Sequence, residues 1–354
     1  MTMSVGRRRD RWVYLVSHPV LFGVLAATRG RPVRRIGRTL LVHGPDAYLA
    51  GLTRVPLDRT AAGTTGGAVD RLAGEGALFD QGGDAHRRTR REVGDRLGAA
   101  GVERLRPVWT GLLDARLKGL ADGGTVDLVP LAAEIAGYTA AALLDLDTDP
   151  IELADAAREA GAAAARAHLP GIGRRRSAAA ADEAARRLVA LAGGGLGATL
   201  AVAAVNTTVA ALPRAAAWAC WDGLWAYGQG VGLADELLRV TAPTPLLPRV
   251  AAAAGEVAGC PVRPGDRMLL IARHAADAHH RDPNPDDPAP ARISQLVFGA
   301  GAHACPGARL ARAQLTDLLA ALAPHEPVVV KARADRRSAL PGWRELVVRR
   351  RRDR

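Results

Sequence analysis

The chain has 354 residues, of which 48% are hydrophobic and 24% charged, so it can form a large core and is not a largely disordered protein. Its 39 glycines and 22 prolines follow no period, which excludes a fibrous protein. Three cysteines are too few for a disulfide scaffold and indicate a reducing compartment.

The formal net charge of +12 is carried almost entirely by arginine, since only Lys118 and Lys331 are lysines. An excess of alanine, arginine and glycine is typical of a GC-rich coding sequence, so the net charge says little about function. Nucleic-acid binding is not favoured, because aromatic residues make up 4% and no basic stretch is interleaved with stacking side chains. An acidic protein partner is compatible with this surface.

Near the N-terminus, three arginines (7–9) precede an apolar stretch over 12–27, a pattern that also occurs in signal peptides. His18 and Pro19 interrupt this stretch, and it is shorter than the ~20 residues that a membrane helix needs. A short soluble helix after Pro19, ending at Arg29 and Gly30, is therefore predicted, no membrane span is expected, and the protein is expected to be cytoplasmic.

The first half of the chain contains short strands followed by helices. Residues 32–44 contain the runs PVRRIG and TLLVHG, which predict two strands joined by a tight turn. Asp46 is predicted to cap the helix AYLAGL, and Asp84 to cap AHRRTRREVGDRL. Apolar residues at helical spacing predict further helices over 102–120 and 130–144.

The second half begins with an alanine-rich region that predicts two helices separated at 170–173, then a long apolar helix over 196–221 interrupted by Pro213. Beyond Pro243, β-type runs appear, and a final helix is predicted over 308–323. Neither a repeat nor a linker is evident. We therefore expect one domain over 1–354 that is mainly α with small β-sheets, an α+β class.

The densest chemical signal is the run FGAGAHACPG over 298–307. Gly299 and Gly301 allow the backbone to turn tightly and a flat group to approach closely. Cys305 precedes the start of an amphipathic helix, where backbone N–H groups stabilise a thiolate, the form that ligates metal. A zinc site would need about four ligands at short spacing, which His303 and Cys305 do not find nearby. The other two cysteines are interpreted as structural: Cys220 and Cys260.

This run resembles the haem-binding loop FGxGxHxCxG of the cytochrome P450 family. Every signature position is present: Phe298, Gly299, Gly301, His303, Cys305 and Gly307. The resemblance implies a haem b cofactor with Cys305 as the thiolate ligand of its iron, an arrangement that favours O–O cleavage. It also implies the family's triangular helical fold, with haem between a long I helix and the cysteine loop with its L helix.

Other segments match the family's companion motifs. Glu236 and Arg239 resemble its ExxR pair, which shares one helix face and joins a buried ion network, here with His280 or Arg281 as the expected third member. The haem propionates are expected to be held by four cationic side chains: His86, Arg90, Arg249 and His303.

The segment AAVNTT over 203–208 resembles the family's oxygen-activation segment on the I helix, and Thr207 matches the threonine that orients dioxygen. Two positions depart from the pattern. Ala204 replaces a glycine that makes room for dioxygen, and Asn206 replaces an acid that relays protons. Because an amide cannot ionise, proton delivery through Thr207 and water, use of peroxide, or an oxidative coupling without oxygen insertion are all open.

The chain is short for the family, and the shortening falls on its N-terminus and on the alanine-rich roof of the substrate pocket (F and G helices). The resemblance implies a monooxygenase acting on a small-molecule or carrier- or peptide-bound intermediate of specialised metabolism. Because the sequence contains neither a flavin or nicotinamide motif nor a CxxC cluster, a separate acidic ferredoxin and its reductase are expected as electron donors. The candidate docking surface on the Cys305 side consists of Arg87, Arg91 and Arg312. A degenerate relative that binds haem or a partner without catalysis is the second hypothesis.

Overall fold

The computed structural model describes residues 3–58, 60–62, 64, 83–168, 174–228 and 230–351. The glycine- and threonine-rich run over 60–76, whose composition predicts a loop, lies mostly outside these residues, as does the predicted helix break at 170–173. Helices dominate the described part, which confirms the predicted fold class. Their bounds are α1 Val5–Ser17, α2 Pro19–Thr28, α3 Pro45–Thr53, α4 Gly83–Arg96, α5 Ala99–Ala121, α6 Leu128–Leu144, α7 Pro150–His168, α8 Arg174–Leu191, α9 Gly195–Asp222, α10 Val231–Thr241, α11 Ala272–Ala275, α12 Ala291–Ser294 and α13 Ala308–Leu322.

Three small sheets accompany the helices, with strand orders β1-β2-β8-β5-β3, β4-β10-β9 and β6-β7. Strand β2 pairs in parallel with β8, and β5 pairs antiparallel to β8 on its other side. The predicted β-type runs are therefore confirmed as strands. Their bounds are β1 Val33–Ile36, β2 Thr39–Val42, β3 Leu57–Asp58, β4 Thr125–Asp127, β5 Leu247–Ala251, β6 Gly255–Val257, β7 Cys260–Val262, β8 Arg267–Leu270, β9 Val328–Asp335 and β10 Gly342–Arg349.

The long helix α9 passes through the middle of the molecule and packs against α1, α6, α7, α10 and β10. By length and composition it could cross a membrane. Residues 210–220 are all buried, however, and a helix that is apolar on every side is also what a protein core requires. Helix α9 is the central core helix of this fold.

Helix α9 also corrects a prediction, because it continues through Pro213. Proline has no N–H to donate to the carbonyl of Val209, so this turn lacks one hydrogen bond. Pro213 is buried, and the neighbouring side chain of Arg214 is bonded to Asp10 at 2.8 Å. Tertiary packing thus holds the helix together at a position where the local sequence predicted an interruption.

Two predicted helix caps differ from the structure. Gly44 precedes α3, and Asp46 lies inside the first turn of that helix. Asp84 lies inside the first turn of α4, where it is ion-paired with Arg87. An acidic group in the first turn stabilises a helix by interacting with the positive end of the helix dipole. The two aspartates therefore indicated the start of each helix to within two residues.

Candidate active site

The cysteine loop is folded back on itself between α12 and α13. The backbone N–H of Cys305 donates to the carbonyl of Phe298 at 2.7 Å, and that of Ala304 to Gly301 at 3.1 Å. Gly299 and Gly301 have φ angles of 73° and 71°, which L side chains rarely adopt. A Cβ at Gly301 would also lie 3.1 Å from Thr53 of α3. Both glycines are needed to form this loop.

The Cys305 side chain is exposed to solvent at the end of this loop. Desolvation by the protein atoms around it raises the pKa of the thiol, while the N–H of Gly307 and the guanidinium groups of Arg90 and Arg312 act in the opposite direction. Without a metal the sulfur is therefore a thiol at neutral pH. Coordination by a metal ion deprotonates such a thiol. Because the side chain is also exposed, Cys305 is suited to ligate iron.

Helix α4 carries two of the predicted cations to this loop. His86 is 6% exposed, and Arg90 lies one turn further along the same face. The Arg90 guanidinium donates to the carbonyl of Ala304, next to the cysteine. Burial lowers the pKa of Arg90, and the charge of a Cys305 thiolate raises it. Helix α4 and the cysteine loop, more than 200 residues apart in sequence, thus meet at Cys305, the predicted ligand of the haem iron.

Arg249 lies on β5 and is partly buried. Its Nη1 donates to the carbonyl of Pro248 at 2.9 Å, while its buried Nε has no hydrogen-bond partner among the described residues. The hydroxyl of Tyr48 is buried and, in the same part of the chain, also without a partner. Burial lowers the pKa of Arg249, and the charge of a Tyr48 phenolate would raise it.

These residues fit the haem cofactor that the resemblance of the sequence motifs implies. A haem presents one iron and two propionates, and the site offers an accessible thiol together with the guanidinium groups of Arg90 and Arg249. In the described residues no ion pair involves Arg90 or Arg249. A buried guanidinium with an unused N–H is costly unless an anionic acceptor reaches it. The backbone of His303 forms part of the loop, but its side chain lies outside the described residues.

The Glu236–Arg239 pair of α10 is confirmed as a buried ion pair. Both side chains are at most 1% exposed, and they form two hydrogen bonds of 2.9 and 2.7 Å. Burial raises the pKa of Glu236, but the Arg239 guanidinium and the backbone N–H groups of Ala289 and Asn284 outweigh it and lower the pKa overall.

The predicted third member of this network was wrong. Arg239 donates instead to backbone carbonyls of the loop that follows α11, and the side chains of His280 and Arg281 are bonded to Asp277 and Asp287. A carbonyl acceptor has no sequence signature, which explains the error. The four carbonyls belong to Ala276, Asp277, Arg281 and Asp282.

Thr207 and Asn206 of α9 face different partners. The Thr207 hydroxyl donates to the carbonyl of Ala203 at 2.7 Å, one turn back along the helix. The Asn206 amide donates to the carbonyl of Ala157 on α7 at 2.9 Å and to Val202 at 3.0 Å. Asn206 therefore connects the central helix to the roof of the molecule.

The environment of Asn206 explains the amide at this position. Both carbonyls around its nitrogen need a donor, and an ionised carboxylate there would be repelled by them. Gly161 of α7 lies against the same side chain, since a Cβ at that glycine would be 2.7 Å from the amide nitrogen. Where the family pattern has an acid, this chain has an amide. The facing helix α7 provides the carbonyl of Ala157 that accepts from this amide and, at Gly161, the space that its side chain occupies.

A cavity of about 280 Å³ lies beside Asn206, between α7, α9 and the hairpin of β9 and β10. Charged groups of both signs line it, including Glu159 and Arg337, together with the apolar ring of Trp343. The walls of this cavity come from three segments that are far apart in sequence, so no local sequence pattern predicts it.

The three arginines of the expected docking surface differ in their availability. Arg87 is exposed and ion-paired with Asp84 of its own helix, and Arg91 is exposed. Arg312 is bonded to Asp235 and lies over the ring of Phe298 at 4.6 Å. The structure therefore shows Arg312 as part of the packing around the cysteine loop, unlike the other two.

Two buried polar clusters were not predicted. Asp10 of α1 is bonded to Arg214 and Arg273 at 2.7 Å each, so the arginine-rich N-terminus contains a core carboxylate. The second cluster is a row of imidazoles, in which the Nδ1 atoms of His43 and His274 are 2.7 Å apart. Burial lowers the pKa of His43 to about 4 and that of His274 to about 2.

No family model matches the chain. A segment of 91 residues, 24% of the chain, is 41% identical to erythromycin C-12 hydroxylase of Saccharopolyspora erythraea. The aligned segment spans 22% of that enzyme, so this match concerns a part of both proteins.

Solved structures match nearly the whole chain. P450BioI, in complex with an acyl carrier protein ligated to hexadec-9Z-enoic acid, is 18% identical with a TM-score of 0.75 over 95% of this chain and 99% of its own. A mutant of P450 EryK with erythromycin B is 20% identical, with a TM-score of 0.73 over 96% and 99%. P450epoK with epothilone B is 18% identical, with a TM-score of 0.72 over 96% and 98%.

The backbone of this chain superposes on these structures over nearly its whole length. It carries the cysteine loop, the cations beside that loop and the buried Glu236–Arg239 pair. The resemblance drawn from the motifs is confirmed, and this chain has the fold of the cytochromes P450.

Proposed function

We propose that this protein is a haem-thiolate monooxygenase that oxidises an intermediate of specialised metabolism. The observation that carries the proposal is the accessible Cys305 thiol in a glycine-shaped loop, with Arg90 bonded to the same loop and, among the residues that the structure describes, no anionic partner for Arg249. Haem bound through a cysteinate supplies the activation of dioxygen and the oxidation of a C–H bond. The proposal covers residues 1–354 as one domain.

In this proposal the chain's own groups hold the cofactor and manage protons. Cys305 binds the iron, and His86, Arg90 and Arg249 hold the propionates, with His303 as a further candidate. The hydroxyl of Thr207 donates to the carbonyl of Ala203, and it can pass a proton from water toward the place where dioxygen would bind. Asn206 does not ionise and is fixed to α7, so it positions the roof and is not the proton source.

The substrate is proposed to enter beside Asn206. The cavity there is bounded by α7, by α9 and by the hairpin that carries Trp343. Its mixed charges suit a polar substrate or the polar linker of a carrier-bound one. P450BioI has been solved with an acyl carrier protein that bears a fatty acid, which supports a carrier-bound substrate on this fold.

Electrons are proposed to come from a separate ferredoxin and its reductase in the cytoplasm. The sequence contains neither a flavin or nicotinamide motif nor a cluster-binding CxxC pattern. Arg87 and Arg91 are exposed on α4, the helix that contacts the cysteine loop, and would attract an acidic partner to this face. Arg312 would contribute only through its charge, because its side chain is already bonded.

The proposal is tested by spectroscopy on the reconstituted protein. Reduced protein with carbon monoxide is expected to show the strongly red-shifted Soret band of a thiolate ligand, and Cys305→Ser is expected to lose it. Cys220→Ser is the matched control and is expected to keep it, because that cysteine is buried in α9. A Soret band typical of imidazole ligation, or no change in Cys305→Ser, would contradict the proposal.

Asn206 favours one alternative, in which the protein uses peroxide or couples two substrate positions without inserting oxygen. Product mass after turnover with ferredoxin and reductase, compared with turnover with hydrogen peroxide, separates these reactions. Insertion of one oxygen atom only with the reductase system supports the monooxygenase. A thiolate spectrum without turnover in either system would support the haem-binding relative that does no chemistry.

A further inference from the structure

We propose that Asp277, His279 and His280 form a binding site for one divalent transition-metal ion, such as Zn²⁺, on the loop after α11. The ligand atoms of these three residues all lie within 4.8 Å of one another. None of the three belongs to the proposed haem site, and the site is separate from the proposed function.

The loop brings these side chains together through its own backbone. Asp277 adopts a left-handed conformation with φ 55°, and its carbonyl accepts from the N–H of His280 at 3.3 Å. This turn brings the His280 Nδ1 to 3.0 Å from the Asp277 Oδ1. Ligand atoms about 2.1 Å from a tetrahedral ion are about 3.4 Å apart, so this edge of the site is near the length that coordination needs.

The loop is held in place from the protein interior. The buried guanidinium of Arg239 donates to the carbonyls of Ala276 and Asp277 before the histidines, and to those of Arg281 and Asp282 after them. Glu236 fixes that guanidinium with two hydrogen bonds. A metal ion would therefore bind to a backbone that is already ordered, which lowers the entropic cost of binding.

The ligand set and its exposure suit such an ion. Two imidazole nitrogens and one carboxylate oxygen are the donors that Zn²⁺, Ni²⁺ and Cu²⁺ accept, with water completing the coordination. The side chains of His280 and Asp277 are 68% and 45% exposed, so an ion can reach them from solvent. On the inner side, Nδ1 of His279 is buried and has no hydrogen-bond partner among the described residues.

The surrounding charge sets an upper limit on the affinity. Asp277 supplies the one carboxylate of the set, while Arg29 and Arg273 lie close enough to act on His279 electrostatically. Positive charge near the site opposes a dication. We therefore expect micromolar affinity, weaker than that of a closed structural zinc site.

The test is titration of the untagged, haem-loaded full chain with ZnCl₂ by calorimetry, alongside thermal unfolding. We expect one equivalent to bind and to raise Tm by a few degrees. His280→Gln and Asp277→Asn should each weaken binding at least about tenfold. His325→Gln is the matched control, since His325 lies outside the cluster in a turn after α13, and should bind like the parent.

Three results would overturn this site. They are the absence of saturable binding up to millimolar Zn²⁺, an unchanged affinity in His280→Gln, or a Soret shift on adding Zn²⁺, which would place the ion in the haem pocket instead. Because His280 is exposed, its variant is expected to fold, so a loss of binding reports on coordination.

Discussion

The cysteine-loop side and the roof side of α9 are stabilised by different kinds of interaction. On the cysteine-loop side, Glu236 and Arg239 are at most 1% exposed and bond to each other and to six backbone groups. The roof helices α7 and α8 pack through small residues, most of them alanines between 154 and 184. Their ion pairs, such as Arg187–Glu152, are about half exposed.

This difference predicts where the fold tolerates amino-acid substitutions. A buried, directional network loses much when one member is removed, because the partner is left as an uncompensated charge. Exposed ion pairs and alanine contacts each contribute little. The cysteine-loop side should therefore be sensitive to substitution, and the roof side should be tolerant.

The largest effect is expected for Glu236→Ala. It leaves the Arg239 guanidinium buried without a counter-charge and should lower the free energy of unfolding by about 3–5 kcal/mol. Glu183→Ala, which removes an exposed partner of Arg186 in the roof, should cost less than about 0.5 kcal/mol. Urea unfolding of both variants checks the comparison, and equal losses would remove the distinction between the two sides.

The next effect concerns Arg249, whose role as a propionate ligand is a proposal. Arg249→Ala should weaken haem binding by about 1.5–3 kcal/mol, as expected for hydrogen bonds to a charged group. The apoprotein should not lose stability, since an unpaired buried cation is removed. Competition for haem with an apoglobin measures the first quantity and urea unfolding the second. The exposed Arg263 supplies the control through Arg263→Ala, and a destabilised apoprotein with unchanged haem affinity would indicate a purely structural role.

A smaller effect is expected at the junction between the two sides. Asn206→Asp places a carboxyl group against the carbonyls of Ala157 and Val202, so its folded-state pKa should rise. The unfolded chain then ionises first, and the free energy of unfolding should fall by about 1–3 kcal/mol as the pH rises from about 4 to 7.

The matched variant Asn206→Ala loses the same donor bonds but cannot titrate. It should be destabilised by about 1 kcal/mol with no added pH dependence. Unfolding measured across this pH range distinguishes the two variants. A pH-independent Asn206→Asp would show that the carboxylate has found a donor, and the amide would then not be required at this position.

The smallest effect is expected within the roof. Arg187→Ala removes ion pairs with Glu152 and Glu159, all about half exposed, and should cost about 0.5 kcal/mol or less at low salt. The difference from the parent should vanish at 1 M salt, where the Debye length is about 3 Å. A loss that persists at high salt would mean that Arg187 stabilises the roof through packing or hydrogen bonding and not through its charge.

Local motifs predicted much of the candidate site. Gly299 and Gly301 have the positive φ angles that a tight loop requires, Arg90 reaches that loop, and Glu236 pairs with Arg239. The two glycines and the Glu236–Arg239 pair are short-range patterns, in which the residue types and their spacing already restrict the backbone, whereas Arg90 was assigned to the loop by the family resemblance. The roles of His86, Arg249, His303 and Thr207 toward haem and dioxygen stay predictions.

The errors concern partners that are distant in sequence or that belong to the backbone. Arg239 bonds to carbonyls, which every residue carries and which no pattern reveals. Pro213 was expected to interrupt a helix that tertiary packing maintains. Asp10 was passed over in an arginine-rich segment and is 3% exposed between two guanidinium groups.

Most of the secondary structure, the cysteine loop and the i, i+3 ion pair could be predicted from the sequence, because short-range sterics, helix periodicity and charge pairing act between residues close in the chain. Only the tertiary structure decided what each polar group faces. It set Asn206 against α7 and placed Asp10 in the core between two guanidinium groups. These contacts depend on packing between segments that can be more than 200 residues apart, whose relative positions are fixed by burial of the core as a whole.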